Sequence, residues 1–575
     1  MGDAVNASLA GAERRRESVG LAGVERDGHP DLAEGALRHP GRPECPGLVA
    51  LVGAGPGRAD LITVRGRELL ECADVVVHDR LDTEELLAWA GTATTAGHAR
   101  LIDVGKRAGN HPVPQTEICE LLVREAQRAR LVVRLKGGDP YVFGRGGEEA
   151  SALAEAGVPF EVVPGVTSAL AAASYAGVPV TDRRRSASFH VLTGHRRADG
   201  ELGIDYGALV RAGGTDVFLM AVRTLGEVTS GLLDAGADPE TPASVVERGT
   251  LPDQRRIDAT LATVAHAARE AGVESPAVLV VGEVCTLAGE LDWFGALPLR
   301  GRTVAVTRPR SRARGLASEL RALGARVVET PLIETRPRPS SELAAAVRGL
   351  SAYAWLALTS AEGARCLRTA LEATGLDARA LAPVRVAAVG PATAAALSAL
   401  GIVADLVPEV FDTEHLAEAL VERVRPGERV LLFRSADGSP ALPRVLAEAG
   451  VAFDDVAAYD TLELEDEDTA RLAASVLAGE VDAVTLTSPS CARALGRALA
   501  RAARGAGTPN PEPNPGSEPL RSGAPAVEWP DSCVAVCLGP STYAAACALG
   551  MRCVCAREAK ASALVAATCE TLARS

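Results

Sequence analysis

The chain has 575 residues, 47% of them hydrophobic and only 3% aromatic, with 60 basic against 74 acidic side chains and a net charge of −14. That length holds about three to four domains of ordinary size, with cores built from Ala, Leu and Val. The acidic balance excludes bulk nucleic-acid binding, which needs a basic footprint, so a polyanionic ligand would require locally clustered arginines.

The 12 cysteines include no Cys-x-x-Cys pair. Neither Cys533/Cys537 nor Cys553/Cys555 has a neighbouring His. A zinc site or disulfide framework is therefore not expected, and the thiols read as free and buried in a reducing cytoplasm. No apolar run has the length of a membrane span. The N-terminal Glu13-Arg14-Arg15-Arg16-Glu17 is not an apolar signal segment. Neither a membrane nor a nucleic acid is expected as partner.

Residues 1–44 are polar, Gly-rich and without hydrophobic period, and read as a disordered leader. Leu48 to Val52 is a strand entering Gly53-Ala54-Gly55-Pro56-Gly57. A dinucleotide-binding loop would read G-x-G-x-x-G with an acid about 20 residues on. Asp79 lies at that distance, but Arg58 stands where the third glycine belongs and Pro56 removes a backbone donor. His78-Asp79-Arg80-Leu81 follows the strand Val75–Val77, which puts Asp79 and Arg80 at its exposed end. They are either a surface ion pair or an acid/base carboxylate beside a substrate-binding guanidinium. Lys106, in Val104-Gly105-Lys106-Arg107, is a solvated lysine unless burial or neighbours lower its pKa enough for acid chemistry.

Leu131 to Leu135 reads as a short buried strand. It breaks at Gly137-Gly138-Asp139-Pro140, and Phe143-Gly144-Arg145-Gly146-Gly147 leads into a helix beginning near Glu148. Glycines at a strand end let backbone groups approach a ligand that a Cβ would exclude. Further motifs are Val163-Pro164-Gly165-Val166-Thr167-Ser168, Thr181-Asp182-Arg183, Phe218-Leu219-Met220 and Val246-Glu247-Arg248-Gly249-Thr250. The stretch from Pro276 to Val281 reads as a final strand.

In this order the motifs closely resemble uroporphyrinogen-III C-methyltransferase, of the tetrapyrrole methylase family, over roughly residues 47 to 290. The resemblance implies a two-lobed α/β fold, S-adenosylmethionine as methyl donor and no metal. It implies cofactor contacts at Pro56, Gly137, Gly138, Asp139, Val142, Thr167, Ser168, Met220 and Gly249. Asp79 and Lys106 would be the acid/base pair. Arg145 would serve binding and catalysis, and Arg80 and Arg183 would bind substrate carboxylates, for which the planar guanidinium is suited. His78 and Asp182 depart from the family's Tyr and His. A homodimer through this half is implied by the family alone.

After Trp293-Phe294 the pattern restarts. Residues 295–302 read as a linker, and an internal repeat follows. Val304–Arg308 parallels Val430–Arg434 and Gly324–Thr335 parallels Gly450–Thr461, both at an offset of 126 residues. Thr359-Ser360-Ala361 parallels Thr487-Ser488-Pro489, and Val389–Thr393 parallels Leu538–Thr542. The last offset is longer by 21 because a Pro/Gly/Ser/Asn-rich insert, 505–530, intervenes as a flexible loop. Each unit alternates strands and helices, giving two small parallel α/β domains.

The duplication, its position after a methyltransferase and Ala457-Ala458-Tyr459-Asp460-Thr461 resemble uroporphyrinogen-III synthase. That family has two flavodoxin-like lobes joined by a crossover, here expected at 303–335 plus 460–575 and at 336–459. The resemblance makes Tyr459 a candidate acid at the leaving hydroxyl of hydroxymethylbilane; it is equally a Tyr capping a strand end. Thr359, Ser360, Thr393, Thr487, Ser488 and Thr542 sit where strands meet helices, either to hold substrate carboxylates or as plain N-caps. The expected organisation is a leader (1–44), a methyltransferase (45–294), a linker (295–302) and a synthase-like unit (303–575). The implied activity is ring closure of hydroxymethylbilane with inversion of ring D, followed by double methylation of uroporphyrinogen III at C-2 and C-7 to precorrin-2, towards sirohaem or cobalamin. The competing reading is a working methyltransferase carrying a catalytically silent ligand-binding module.

Overall fold

The computed structural model describes residues 47–79, 84–92, 97–105, 113–196, 200–505 and 529–573. Arg80, Lys106, the leader and residues 506–528 of the expected insert lie outside the described residues. The chain divides between Leu291 and Asp292 into two units. Among the described residues each unit contains two five-stranded sheets.

In the first unit, β1 (Leu48–Gly53), β2 (Val75–His78), β3 (Arg100–Asp103), β4 (Leu131–Lys136) and β5 (Phe160–Val163) form an all-parallel sheet in the order β3-β2-β4-β1-β5. Of its central strands, β1 and β2 read as apolar runs because both faces are covered, and β4 does so except at Arg134 and Lys136. Val49 and Leu51 join one core cluster with Ile118, Leu122 and Leu153, while Ala50 and Val52 join another with Leu69, Leu70 and Leu86. β4 ends one residue later than read from sequence, at Lys136. Its helix starts at Gly146, two residues before the expected Glu148, because Arg145 already turns the chain as N-cap. The second sheet joins β6 (Phe189–Thr193), β7 (Thr215–Leu219), β8 (Pro242–Glu247), β9 (Arg255–Thr260) and β10 (Ala277–Val281) in the order β6-β7-β10-β8-β9. Only its β6–β7 pair is parallel.

The second unit begins with β11 (Thr303–Val306) and β12 (Arg326–Glu329). The chain then crosses into a second sheet made of β13 (Ile333–Pro337), β14 (Trp355–Leu358), β15 (Arg385–Ala388), β16 (Arg429–Ser435) and β17 (Ala452–Glu463). It returns for β18 (Ala483–Leu486), β19 (Val534–Cys537) and β20 (Cys553–Cys555). The sheet orders are β12-β11-β18-β19-β20 and β13-β17-β16-β14-β15. Repeat-equivalent strands stand in the same sequence, β12-β11-β18-β19 against β17-β16-β14-β15. The crossover segments also pair with each other: Thr335 faces Thr461, its own counterpart at the offset of 126. The antiparallel β13–β17 pairing therefore obeys the symmetry of the repeat.

Three expectations need correction. The second sheet spans 333–463, so the crossovers fall outside the expected boundaries of 336 and 459, because β13 and β17 hydrogen-bond across both. Residues 295–302 are not a free linker. Leu299 is fully buried beside Val304, Leu316 and Leu320, and Phe294 is buried under the guanidinium of Arg300. Nor are all thiols free: Cys547 and Cys553 are paired as a disulfide. The turn at Gly550 (φ 80°) brings the end of the helix Pro540–Cys547 to the start of β20, with the Cα atoms 6.4 Å apart, within bridging range.

Candidate active sites

Three neighbouring strands of the first sheet, β4, β1 and β5, run into glycine at their C-terminal ends. A Cβ on Gly53 would lie 2.5 Å from Gly165 Cα and 2.6 Å from the Gly138 carbonyl oxygen. One on Gly165 would lie 2.7 Å from Gly53 Cα and closer still to that carbonyl. Only backbone fits here. Gly55 and Gly138 exchange two backbone hydrogen bonds of 3.2 and 2.7 Å, with Gly138 at φ 65°. Asp139 locks the cradle: its carboxylate accepts from Tyr141 N at 2.8 Å and from Gly165 N at 3.0 Å. The resemblance implies a cofactor contact at Asp139, and its two carboxylate oxygens also tie the loops together.

Thr167 caps the helix Ser168–Tyr175 by accepting from Ala169 N, and the Gly138 position opens towards Thr167 and Ser168. The helix face is Ala-rich, so the loop after β8 can press against it. A Cβ on Gly249 would lie 2.5 Å from Ala172 Cβ. Thr250, fully buried, receives Arg58 N on its Oγ1 at 3.4 Å, which closes this loop on the one holding Pro56. Val142 packs against the core cluster holding Ala169, Ala172 and Leu219. The lobes of this unit thus meet at the motifs.

Backbone strain marks the same place. Among the described residues the non-glycine positions with φ > 0 are Phe143 (53°), Arg145 (57°), Met220 (56°), Arg248 (50°) and Thr250 (74°). All lie in the loops after β4, β7 and β8. Such conformations cost about 1–3 kcal/mol each and gather at ligand sites. Met220 follows β7, half-exposed.

Asp79 stands just past β2, one-third exposed, its Oδ1 2.7 Å from Arg134 Nη2. Arg134 is buried on β4 and donates from Nε to Glu149 Oε1 at 3.0 Å. Lys136 Nζ reaches the same oxygen at 2.9 Å and Gln115 Nε2 at 3.2 Å. Burial, and then the Arg134 charge, push the Lys136 amine below its ordinary range. Sequence reading missed this set, although an Arg and a Lys two apart in an apolar strand share one face and demand buried carboxylates. Arg145 is exposed and makes a two-pronged pair with Glu148 at 2.7 Å, which holds the Glu148 carboxyl below its usual range. Arg183 is exposed on the turn closed by Asp182 and Ser186. It is not drawn to Asp79 by any bond in the structure.

In the second unit, Tyr459 is buried with its hydroxyl 2.7 Å from Ser360 Oγ. Ser360 caps the helix Ala361–Ala373 by accepting from Gly363 N at 3.0 Å, beside Thr359 at the end of β14. Ser488, after Thr487 at the end of β18, likewise accepts from Cys491 N at 3.2 Å. Thr393 and Thr542 are buried in the first turns of the helices Pro391–Ser398 and Pro540–Cys547. Both serines thus cap helices, but only Ser360 carries a phenol; the repeat-equivalent of Tyr459 is the buried Ile333. An unanticipated pair, Arg434 with Asp455 at 2.5 and 2.7 Å, fixes β16 to β17.

Two family models match the chain, Tetrapyrrole (Corrin/Porphyrin) Methylases over residues 48–265 and Uroporphyrinogen-III synthase HemD over 315–566. The chain is 44% identical over 445 residues to the porphyrin biosynthesis protein HemD of Ruminiclostridium josui, covering 77% of this chain and 87% of that one. It is 47% identical to the S-adenosyl-L-methionine-dependent uroporphyrinogen III methyltransferase of Methanosarcina barkeri, over 42% of this chain and 93% of that one. A Thermus thermophilus uroporphyrin-III C-methyl transferase, solved with S-adenyl homocysteine, is 42% identical over 42% of this chain and 100% of its own, with a TM-score of 0.36.

The two folds and their sites define a two-part enzyme of tetrapyrrole synthesis, a transferase followed by a cyclising lyase. The chain belongs to the family of fusions joining an S-adenosylmethionine-dependent uroporphyrinogen-III C-methyltransferase to a HemD-type uroporphyrinogen-III synthase. The glycine cradle that any Cβ would fill fits S-adenosylmethionine as the methyl donor.

Proposed function

We propose that the second unit closes hydroxymethylbilane to uroporphyrinogen III with inversion of ring D, and that the first methylates this product at C-2 and C-7 to precorrin-2. The observation that carries the methylation reading is the placement of Asp79 on the strand-end edge that also holds the Gly53, Gly138 and Gly165 cradle. Bound S-adenosylmethionine supplies a methyl group already activated on a sulfonium, so the protein's task is alignment. Pro56, Gly137, Gly138, Asp139, Val142, Thr167, Ser168, Met220 and Gly249 line the cofactor side, with Asp139 also holding its loops. The carbon that receives the methyl group already bears a side chain and has no proton to lose, so Asp79 takes the proton that leaves from elsewhere on the macrocycle to give the dihydro product. Lys106 acts as proton donor, and Arg80, Arg145 and Arg183 bind substrate carboxylates.

For ring closure, Tyr459 donates a proton to the departing hydroxyl. Ser360 Oγ, itself accepting from Gly363 N, directs its own proton to the Tyr459 oxygen and stabilises the charge left there. Homodimerisation through the first unit and a cytoplasmic location complete the proposal. Among the described residues no helix is long and apolar enough to cross a membrane.

The test is anaerobic incubation of the full chain with hydroxymethylbilane, without and then with S-adenosylmethionine, resolving isomers I and III. Isomer III, converting to precorrin-2 once the methyl donor is added, is the expected result. Isomer I alone, the product of spontaneous closure, would make the second unit a binding module and not a synthase.

A further inference from the structure

The buried charges behind Asp79 have a composition that bears on its chemistry. Arg134 is fixed on all sides: Nε to Glu149, Nη2 to Asp79, and Nη1 to the carbonyls of Leu135 at 3.2 Å and Val77 at 3.5 Å. Glu149 is fully buried on the helix Gly146–Glu155. Its Oε1 serves three donors while Oε2 has no hydrogen-bond partner among the described residues. Two cations and two carboxylates therefore share one desolvated space, and only Asp79 is open to solvent.

We propose that Glu149, Arg134 and Lys136 form a buried brace that positions Asp79 and sets its strength as a base, Arg134 and Lys136 weakening it and Glu149 strengthening it. This rests on reading Asp79 as the base of the methylation half. With Asp79 ionised the four charges cancel. Each proton that Asp79 takes from the substrate leaves the set with one net positive charge in a space water does not reach, which is unfavourable. The proton is thereby driven on to solvent through the exposed side of Asp79, and the base is restored. In that same space burial first, and the Arg134 charge next, depress the Lys136 amine. Arg134, Glu149 and Lys136 touch no reacting atom and are positioning residues. Bordering titratable groups are His78, whose Nδ1 lies 3.1 Å from the Asp79 carbonyl, Asp103 on β3, Cys119 beside Gln115, and the Arg145–Glu148 pair.

The test measures methylation of uroporphyrinogen III by the full-length protein from about pH 4 to about pH 9, a range that reaches down to ordinary carboxylate titration. Glu149→Gln keeps the shape but leaves excess positive charge, which makes Asp79 a weaker base. The acidic limb of the kcat profile then moves to lower pH, and kcat falls about tenfold with KM for S-adenosylmethionine nearly unchanged. Arg134→Gln removes a cation and moves the limb to higher pH, and Arg134→Lys restores part of the loss. A merely structural role would lower activity in both variants without opposite shifts. If Glu149→Gln, folded and binding S-adenosylhomocysteine normally, has the wild-type profile, the brace is refuted; because it is isosteric, the test survives a failure of Arg134→Gln to fold. Asp79→Asn separates the two readings. Full methylation in that variant overturns the base assignment itself, whereas its loss together with an unaltered Glu149→Gln overturns only the brace.

Discussion

Replacing Gly165 by Ala tests the backbone cradle directly. The added methyl would sit 2.7 Å from Gly53 Cα and nearer still to the Gly138 carbonyl, where ordinary contact begins at 3.4 Å. Both neighbours are backbone anchored by paired strands, so neither can swing aside as a side chain would. Relief requires separating the loops and breaking the two hydrogen bonds between Gly55 and Gly138. At about 1 kcal/mol each, with roughly 1–3 kcal/mol for overpacking, the cost is about 3–5 kcal/mol. Since about 1.4 kcal/mol is tenfold in affinity, S-adenosylhomocysteine should bind at least about 100-fold more weakly. Titration calorimetry on the full-length protein measures this. Gly226→Ala is the control: nothing lies within 4 Å of its Cβ, on an ordinary helical backbone, and affinity should be unchanged. Binding by Gly165→Ala within a few-fold of wild type would refute the reasoning.

Asp139→Ala removes the acceptor for Tyr141 N and Gly165 N, so methylation should be lost while isomer III still forms; loss of both activities in a folded variant would rule out independent sites. Ser360→Ala removes an N-cap worth about 1 kcal/mol and the hydroxyl on Tyr459, and isomer III formation should fall by more than the small drop in melting temperature explains. Leu299→Ala, in a segment with the composition of a linker, should cost about 2–5 kcal/mol in denaturant unfolding of the second unit because the side chain is fully buried. Tyr353 donates to Asp454 at 2.7 Å, and burial first and this carboxylate next push its phenol up to about 12 from 10.0. The native state then holds its proton more tightly than the unfolded chain, so this stabilisation is intact below pH 10 and is lost as pH rises towards 12. A pH series of urea midpoints should show that decline, and Tyr353→Phe should remove it.

The sequence alone determined much of the architecture, because the signals are local. Apolar runs ending in glycine marked the cradle strands, since a glycine at a strand end lets backbone approach where a Cβ would not fit. Arg58 in place of a third glycine separated the first loop from a dinucleotide-binding turn, and in the structure that arginine instead pairs with Asp60 at 2.5 Å. The repeat offsets mapped strand onto strand, β11 to β16 and β18 to β14, since a duplicated pattern of strands and helices repeats its spacing. The helix-capping roles of Ser360 and Ser488 were also open to a sequence reading, the cap being an interaction over three residues.

What only the tertiary structure decided is which distant groups meet. Arg134 reads from sequence as a charge misplaced in a buried strand; its partners lie 55 residues before it and 15 after, on other elements. Tyr459 finds Ser360 across 99 residues. Residues 295–302 have the composition of a linker, but Leu299 closes a core whose other members come from both ends of the unit. Cys547 and Cys553 pair because a turn folds a helix end onto a strand, which the spacing does not encode. Local pattern fixes backbone conformation through sterics and periodicity over a few residues. The neutralisation of buried charge and the filling of a core are set by neighbours in space, and those exist only once the sheets are assembled.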